Sequence, residues 1–318
     1  MADKSGGTST AIGLIASLVL TTAAIGCVLG SRVQHSRVVL FCGGIVCLGL
    51  LGASLNPTFG QTVLIAGSAV GGVASGVVLS VPLSLAINSR DMLRIFGHGM
   101  SFGCIASFVI LAGTAATGVS LLPILAVLAG VQVVALLWPE SSDMPRTHLP
   151  VTWAHDLSLF PFFVLMGSYW AFLEVFAREQ GFETVSGWLA ASLILSALGS
   201  FFASRVPDER RHRWRLFGLV LAAFAGGLTY LSFSEITLGM MILCNAFGLF
   251  LFFPLYLDGT DAPALGMARY LMGFALGGGA GSLILVSGGH AALAGAIVVS
   301  GLVAMPLLLR ARPKIRSF

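Results

Sequence analysis

Apolar residues run through this chain in long blocks, and polar residues gather in the short interruptions between them. Eleven blocks approach or reach the length of a membrane span, at about 12–31, 38–55, 62–88, 95–117, 120–138, 157–177, 185–204, 214–232, 237–257, 267–288 and 291–310. A helix needs about 20 apolar residues to cross the hydrocarbon core. The alternating pattern of an outer-membrane barrel is absent. The pattern therefore predicts an all-α, polytopic membrane helical bundle in which each segment satisfies its own backbone.

Composition agrees. Of 318 residues, 57% are hydrophobic and 9% charged, whereas a soluble domain carries about 25% charged residues. So few charges cannot cover a globular surface, and the solvent must be largely lipid. Forty glycines lie in this apolar setting, where small residues let helices approach closely. The run GFALGGGAGS (Gly273–Ser282) sits inside a span, so it is read as helix packing or a hinge, not a phosphate loop. The five cysteines lack metal-ligand spacing and are read as packing residues, so no metal and no cofactor is expected.

Charge placement sets the topology. If the spans alternate, fifteen of the seventeen basic residues fall on one side, and only Lys4 and Arg178 on the other. Cytoplasmic loops collect Lys and Arg, which puts the C-terminus in the cytoplasm and the N-terminus outside. RVPDERRHRWR (Arg205–Arg215) is then a topology anchor near anionic lipid. The net charge of +4 needs no nucleic acid partner.

The blocks also repeat. LSVPLSL (Leu79–Leu85) and LFFPLYL (Leu251–Leu257) place Pro82 and Pro254 172 positions apart. IGCVLGSRV (Ile25–Val33) matches LGSFFASRV (Leu198–Val206) at an offset of 173, with Gly26 on Gly199 and Arg32 on Arg205. At 174, Gly99 matches Gly273 and Gly103 matches Gly277, while Arg94 and Arg269 each open their helix. Three regions in the same order and orientation indicate a parallel duplication about an axis along the membrane normal. The expected division is 1–138, a linker at 139–156, and 157–318, with about five helices in the first half and six in the second.

Two parallel halves joined by a cytoplasmic loop resemble the major facilitator superfamily of transporters, over essentially the whole chain. CVLGSRVQHSRVVL (Cys27–Leu40) is similar to a degenerate form of the family's loop motif, with Arg32 on its arginine, Ser31 on its aspartate and Gln34 on a glycine. The resemblance implies two pseudo-symmetric halves, substrate near the midplane between them, and alternating access. It also implies that the first span here is family helix 2. MADKSGGTSTAIGLI then reads as the external loop before it, and one further helix of about 20 residues is expected upstream of Met1.

Of thirteen acidic residues, Glu174 alone lies within a span by this assignment. Intramembrane carboxylates are costly and tend to be functional. Trp170, Glu174 and Arg178 share one helical face, with Tyr169 beside them. Glu174 either pairs with Arg178 at the interface, with Trp170 and Tyr169 in an aromatic belt, or it lines the cavity and titrates or binds a cationic solute, with Trp170 and Tyr169 shaping the substrate site. Asn245 either binds solute or ties two helices. His98, a turn after Arg94, either relays protons or packs at the interface. Arg32, Arg205, Arg94 and Arg269 are candidate gating or loop residues, and Pro82 and Pro254 candidate hinges.

No soluble catalytic motif is present, so an enzyme is not expected. The expected function is a secondary transporter, symporter or antiporter, in the plasma (inner) membrane. It would be monomeric and would move a small organic solute, with proton coupling through Glu174. The alternative is a non-transporting or degenerate protein of the same architecture, such as an assembly or sensor subunit.

Overall fold

A computed structural model describes residues 9–31, 42–46, 49, 61–87, 91–117, 159–260 and 262–310. Among the described residues the chain is helical and no strand occurs. The helices are α1 (Ser9–Gly30), α2 (Gln61–Ile87), α3 (Met92–Thr117), α4 (Phe160–Glu179), α5 (Val185–Ala203), α6 (Arg211–Thr229), α7 (Glu235–Asp258) and α8 (Pro263–Arg310). A short 3-10 turn, Asp208–Arg210, precedes α6. Of the expected span at 38–55, residues 42–46 are helical; the expected span at 120–138 and the linker at 139–156 lie outside the described residues.

Five of these helices are long and apolar enough to cross a membrane: α3, α4, α5, α7 and α8. α6 is not among them, because RHRWR opens its 19 residues. α8 has 48 residues, too many for one crossing, and breaks at Gly289, where φ is 66° and ψ −166°. That backbone region is open essentially to glycine alone. The break falls between the two blocks that hydropathy separates, 267–288 and 291–310. The chain is thus built as a multi-pass membrane bundle.

The helices group into two compact units. The first comprises Met1–Ser89, Gly113–Leu149 and Ala262–Ala275; the second comprises Arg90–Ala112, Pro150–Asp261 and Leu276–Phe318. In the first unit α1 packs along α2. A Cβ on Gly26 would collide with the Val73 carbonyl oxygen, so the two backbones touch there. In the second unit α5 packs along α7 in the same manner. A Cβ on Gly199 would lie 2.5 Å from the Phe247 carbonyl oxygen. Gly199 is 173 positions after Gly26 and Phe247 174 after Val73. The repeat therefore reappears as the same helix crossing, built on the same glycine.

The core of the second unit is aromatic. Phe162 and Phe163 of α4 meet Phe252 and Tyr256 of α7, with ring centroids 5.5–6.4 Å apart. α7 starts with a capping box, in which Ser234 accepts from the Thr237 backbone N–H and Thr237 returns the bond. Pro254 is buried inside α7, which continues past it to Asp258. Pro82 likewise lies within α2.

The glycine run packs α8 on α4. A Cβ on Gly277 would strike the backbone at Gly167 and Ser168, and the Ser168 hydroxyl donates to the Gly277 carbonyl at 2.7 Å.

Candidate functional site

The last three turns of α4 carry the polar face that its spacing predicts. Glu174 accepts from Arg178 Nη2 at 2.8 Å, and their side chains are 57% and 75% exposed. The two side chains stand one turn apart on the helix, the spacing at which such pairs meet. Trp170, one turn earlier, is half-buried, and its ring meets Tyr169 edge-on at 5.1 Å.

Tyr169 points the other way and is fully buried. Its hydroxyl accepts from Thr229 Oγ1 at 3.5 Å, and its backbone carbonyl accepts from Tyr230 Oη at 2.6 Å. Trp170 therefore stands on a fixed base. Tyr169 is tied at two points, its ring hydroxyl to Thr229 and its backbone carbonyl to Tyr230.

Asn245 is also fully buried. Its amide donates to the Ala222 carbonyl of α6 at 2.7 Å and lies 3.6 Å from Met166 Sδ of α4. Its Oδ1 has no hydrogen-bond partner. The side chain spans α4, α6 and α7 at the point where Gly226 leaves room for it. The tie between helices is thus formed.

His98 of α3 is half-buried, and the Arg94 carbonyl accepts from its Nδ1 at 2.6 Å. This bond places the proton on Nδ1 in the neutral ring. The imidazole meets Phe201 edge-on at 5.5 Å, while the Arg205 guanidinium lies 4.7 Å from the same ring. One phenyl ring thus gathers two of the expected residues, which the chain separates by 107 positions. Arg94 is exposed at the start of α3. Arg269 lies in the other unit, half-buried in α8. Arg32 lies outside the described residues.

The basic end of α6 holds a further cluster. Arg211 bridges to Asp258 of α7 at 2.9 Å, and the Asp258 side chain is 12% exposed. Arg215 is buried beside it and donates to His212 Nδ1 at 3.2 Å. Burial and the adjacent Arg215 charge push the His212 imidazole below its usual range, which suits a neutral acceptor.

Sequence reasoning missed the group at the opposite end of the second unit. His290 follows the break in α8, with Nδ1 3.7 Å from Glu179 Oε2 of α4. It stacks on Tyr230 at 5.8 Å and 11°, and meets Phe176 at 4.9 Å. The one available signal was the trio Gly288, Gly289, His290 between two apolar blocks.

No family model matches the sequence, and no curated protein does either. Solved structures do match. The human organic anion transporter MFSD10 (TETRAN) superposes with a TM-score of 0.73 at 17% identity, over 93% of this chain and 83% of that one. The E. coli fucose:proton symporter FucP gives 0.65 at 12% identity, over 95% and 90%. The nucleoside transporter NupG gives 0.53 at 14% identity, over 97% and 92%. At such identities the likeness is one of fold: this chain is a helical membrane bundle with the fold of these three proteins.

Proposed function

We propose that the protein is a secondary transporter that carries a small organic solute across the plasma (inner) membrane by alternating access, coupled to protons through Glu174. One observation carries this reading. The fold matches three transporters over 93–97% of the chain, although one is an organic anion transporter, one a fucose:proton symporter and one a nucleoside transporter. What they share is an architecture for moving a small solute, so the architecture is what supports transport here.

The exposed Glu174–Arg178 pair supplies a titratable group open to water and solute. Trp170 supplies the apolar surface beside it, and Tyr169 holds Trp170 in place. Asn245 is assigned to the tie between helices, with its Oδ1 as the one group left to offer. Arg205 on Phe201, with Arg94, Arg269 and Arg32, is assigned to the cytoplasmic gating regions, His98 to proton coupling, and Pro82 and Pro254 to bending. The C-terminus is cytoplasmic, since the basic cluster around Arg211 then meets anionic lipid.

A ligand that binds the folded state raises its stability by mass action, about 2.7 kcal/mol at 100 times Kd. Purified protein in detergent is therefore heated with a panel of organic anions, sugars and nucleosides. At least one class is expected to raise Tm saturably. If no organic solute in the panel does so, the reading fails.

A further inference from the structure

Arg210, Arg211, Arg213 and Arg215 gather at the start of α6, the helix end at which cations are disfavoured and anions favoured. Two of them are used within the protein. Arg211 bridges to Asp208 and Asp258, and Arg215 is buried and donates to His212. Arg210 and Arg213 are exposed, as is Arg205, two residues past the end of α5. Among the described residues none of these three bonds a carboxylate, and Arg205 rests on the Phe201 ring. The connection at 204–210 holds two acidic residues, Asp208, which is spent on Arg211, and Glu209. Three outward arginines thus stand against one uncommitted carboxylate, and an anion from outside the chain would balance them.

The surface beside them is apolar and forms a furrow. α5 and α6 both lie along α7 and touch it at adjacent residues. A Cβ on Gly199 of α5 would lie 2.5 Å from the Phe247 carbonyl oxygen, and one on Gly218 of α6 2.9 Å from the Gly248 carbonyl oxygen. Between the two helices, the Phe247 ring lies 6.5 Å from Phe202 of α5, and Trp214 of α6 meets Phe202 at 4.7 Å and Phe217 at 5.5 Å. Trp214 and Phe247 cover a core of Leu93, Ala203, Val206, Leu251 and Leu255. Phe202 and Phe217 are exposed, and so are Ile194 and Leu198 farther along α5 and Phe224 and Leu228 farther along α6. The furrow therefore runs from hydrocarbon depth to a rim of guanidinium groups, with an indole at the boundary, where such rings concentrate.

We propose that this furrow binds one anionic phospholipid, whose phosphate is held by Arg205, Arg210 and Arg213 and whose acyl chains lie on Phe202, Trp214 and Phe217. Charge complementarity names the ligand. The guanidinium fork matches two phosphate oxygens, so a phosphodiester suits the rim. A lipid also carries the chains that the rings below the rim would otherwise leave to bulk hydrocarbon. A zwitterionic headgroup would bring its own ammonium among the arginines, so net negative charge decides the class. A basic segment is drawn to any anionic surface, but that pull has no stoichiometry, whereas a furrow with a charged rim takes one molecule. The site rests on the membrane fold and not on the transport reading.

The test is native mass spectrometry of the purified protein in detergent, with dioleoyl phosphatidylglycerol or dioleoyl phosphatidylcholine added in steps. One phosphatidylglycerol is expected to bind about tenfold more tightly than phosphatidylcholine. Arg213→Gln should weaken phosphatidylglycerol about fivefold, and Arg205→Gln with Arg213→Gln should bring it to the level of phosphatidylcholine. Both side chains are exposed, so these variants should fold; if the double variant does not, Arg213→Gln decides alone. Arg178→Gln removes the same charge at the far end of the unit and should leave the affinity unchanged. Inorganic phosphate should not displace the lipid. Equal affinities for the two lipids, or full affinity in the arginine variants, overturns the site. An equal loss in Arg178→Gln overturns it by showing an effect of bulk charge, and displacement by inorganic phosphate by showing that the furrow adds nothing. No solute is needed, so a failure of the transport reading would not be mistaken for a failure here.

Discussion

Glu174→Gln abolishes proton-driven solute movement while the protein still folds and inserts. The expectation rests on where the side chain lies. Glu174 is more than half exposed on α4, and its bond to Arg178 is made on the surface of the bundle. Exposed pairs of this kind contribute about 1 kcal/mol or less, so the fold does not depend on the charge. Glutamine keeps the shape and one acceptor but cannot carry a proton. Gradient-driven uptake by the variant should fall by about tenfold or more. Exchange of labelled for unlabelled solute at equal pH should persist, because it needs no net proton transfer. If both rates equal those of wild type, Glu174 takes no part in coupling. If both vanish in folded protein, it serves solute binding instead.

Gly199→Val and Gly26→Val each unfold the protein at markedly lower temperature. Both glycines sit where one helix backbone meets another, and a branched side chain there must push the helices apart. Overfilling a packed site costs about 1–3 kcal/mol, and more where the backbone itself is the neighbour. The two losses should be alike, since the crossings of α1 on α2 and α5 on α7 are equivalent copies. Gly187 of α5 is the control. It is exposed and a Cβ there meets nothing, so Gly187→Ala should leave Tm unchanged or slightly raised. A thermal melt in detergent checks all three. Tolerance of valine at either position would show that the crossing is not a tight backbone contact.

The spans of α3, α4, α5, α7 and α8 could be read from the chain because lipid makes them legible. A crossing helix must be apolar along its length, and loops must hold the charges, so boundaries stand out. The break at Gly289 lies where hydropathy divides its two last blocks. The glycine matches at 26 and 199 became a shared contact because small residues are retained where backbones touch.

The sites were harder to read for the same reason. In lipid, a face toward protein and a face toward hydrocarbon are both apolar, so periodicity does not tell them apart. Spacing placed Trp170, Glu174 and Arg178 on one face and identified the pair as one reading. It could not show that adjacent Tyr169 turns inward to Thr229 and Tyr230. Asn245 was visible as polar, but its partners, Ala222 and Met166, are apolar residues that offer a carbonyl and a sulfur. The cage around His290 joins residues 111 positions apart, at 179 and 290, and no local pattern links them. Prolines 82 and 254 marked equivalent helices, and both helices continue through them.

The most direct measurement is solute flux into proteoliposomes that hold the purified protein. A pH gradient is imposed, and the panel solute that raises Tm most is supplied with a radiolabel. Saturable accumulation above protein-free vesicles, collapsing when a protonophore removes the gradient, is the predicted result. Vesicles with correctly folded protein that take up no more solute than empty ones, with or without a gradient, would contradict it. The fold would then serve a membrane protein that does not transport.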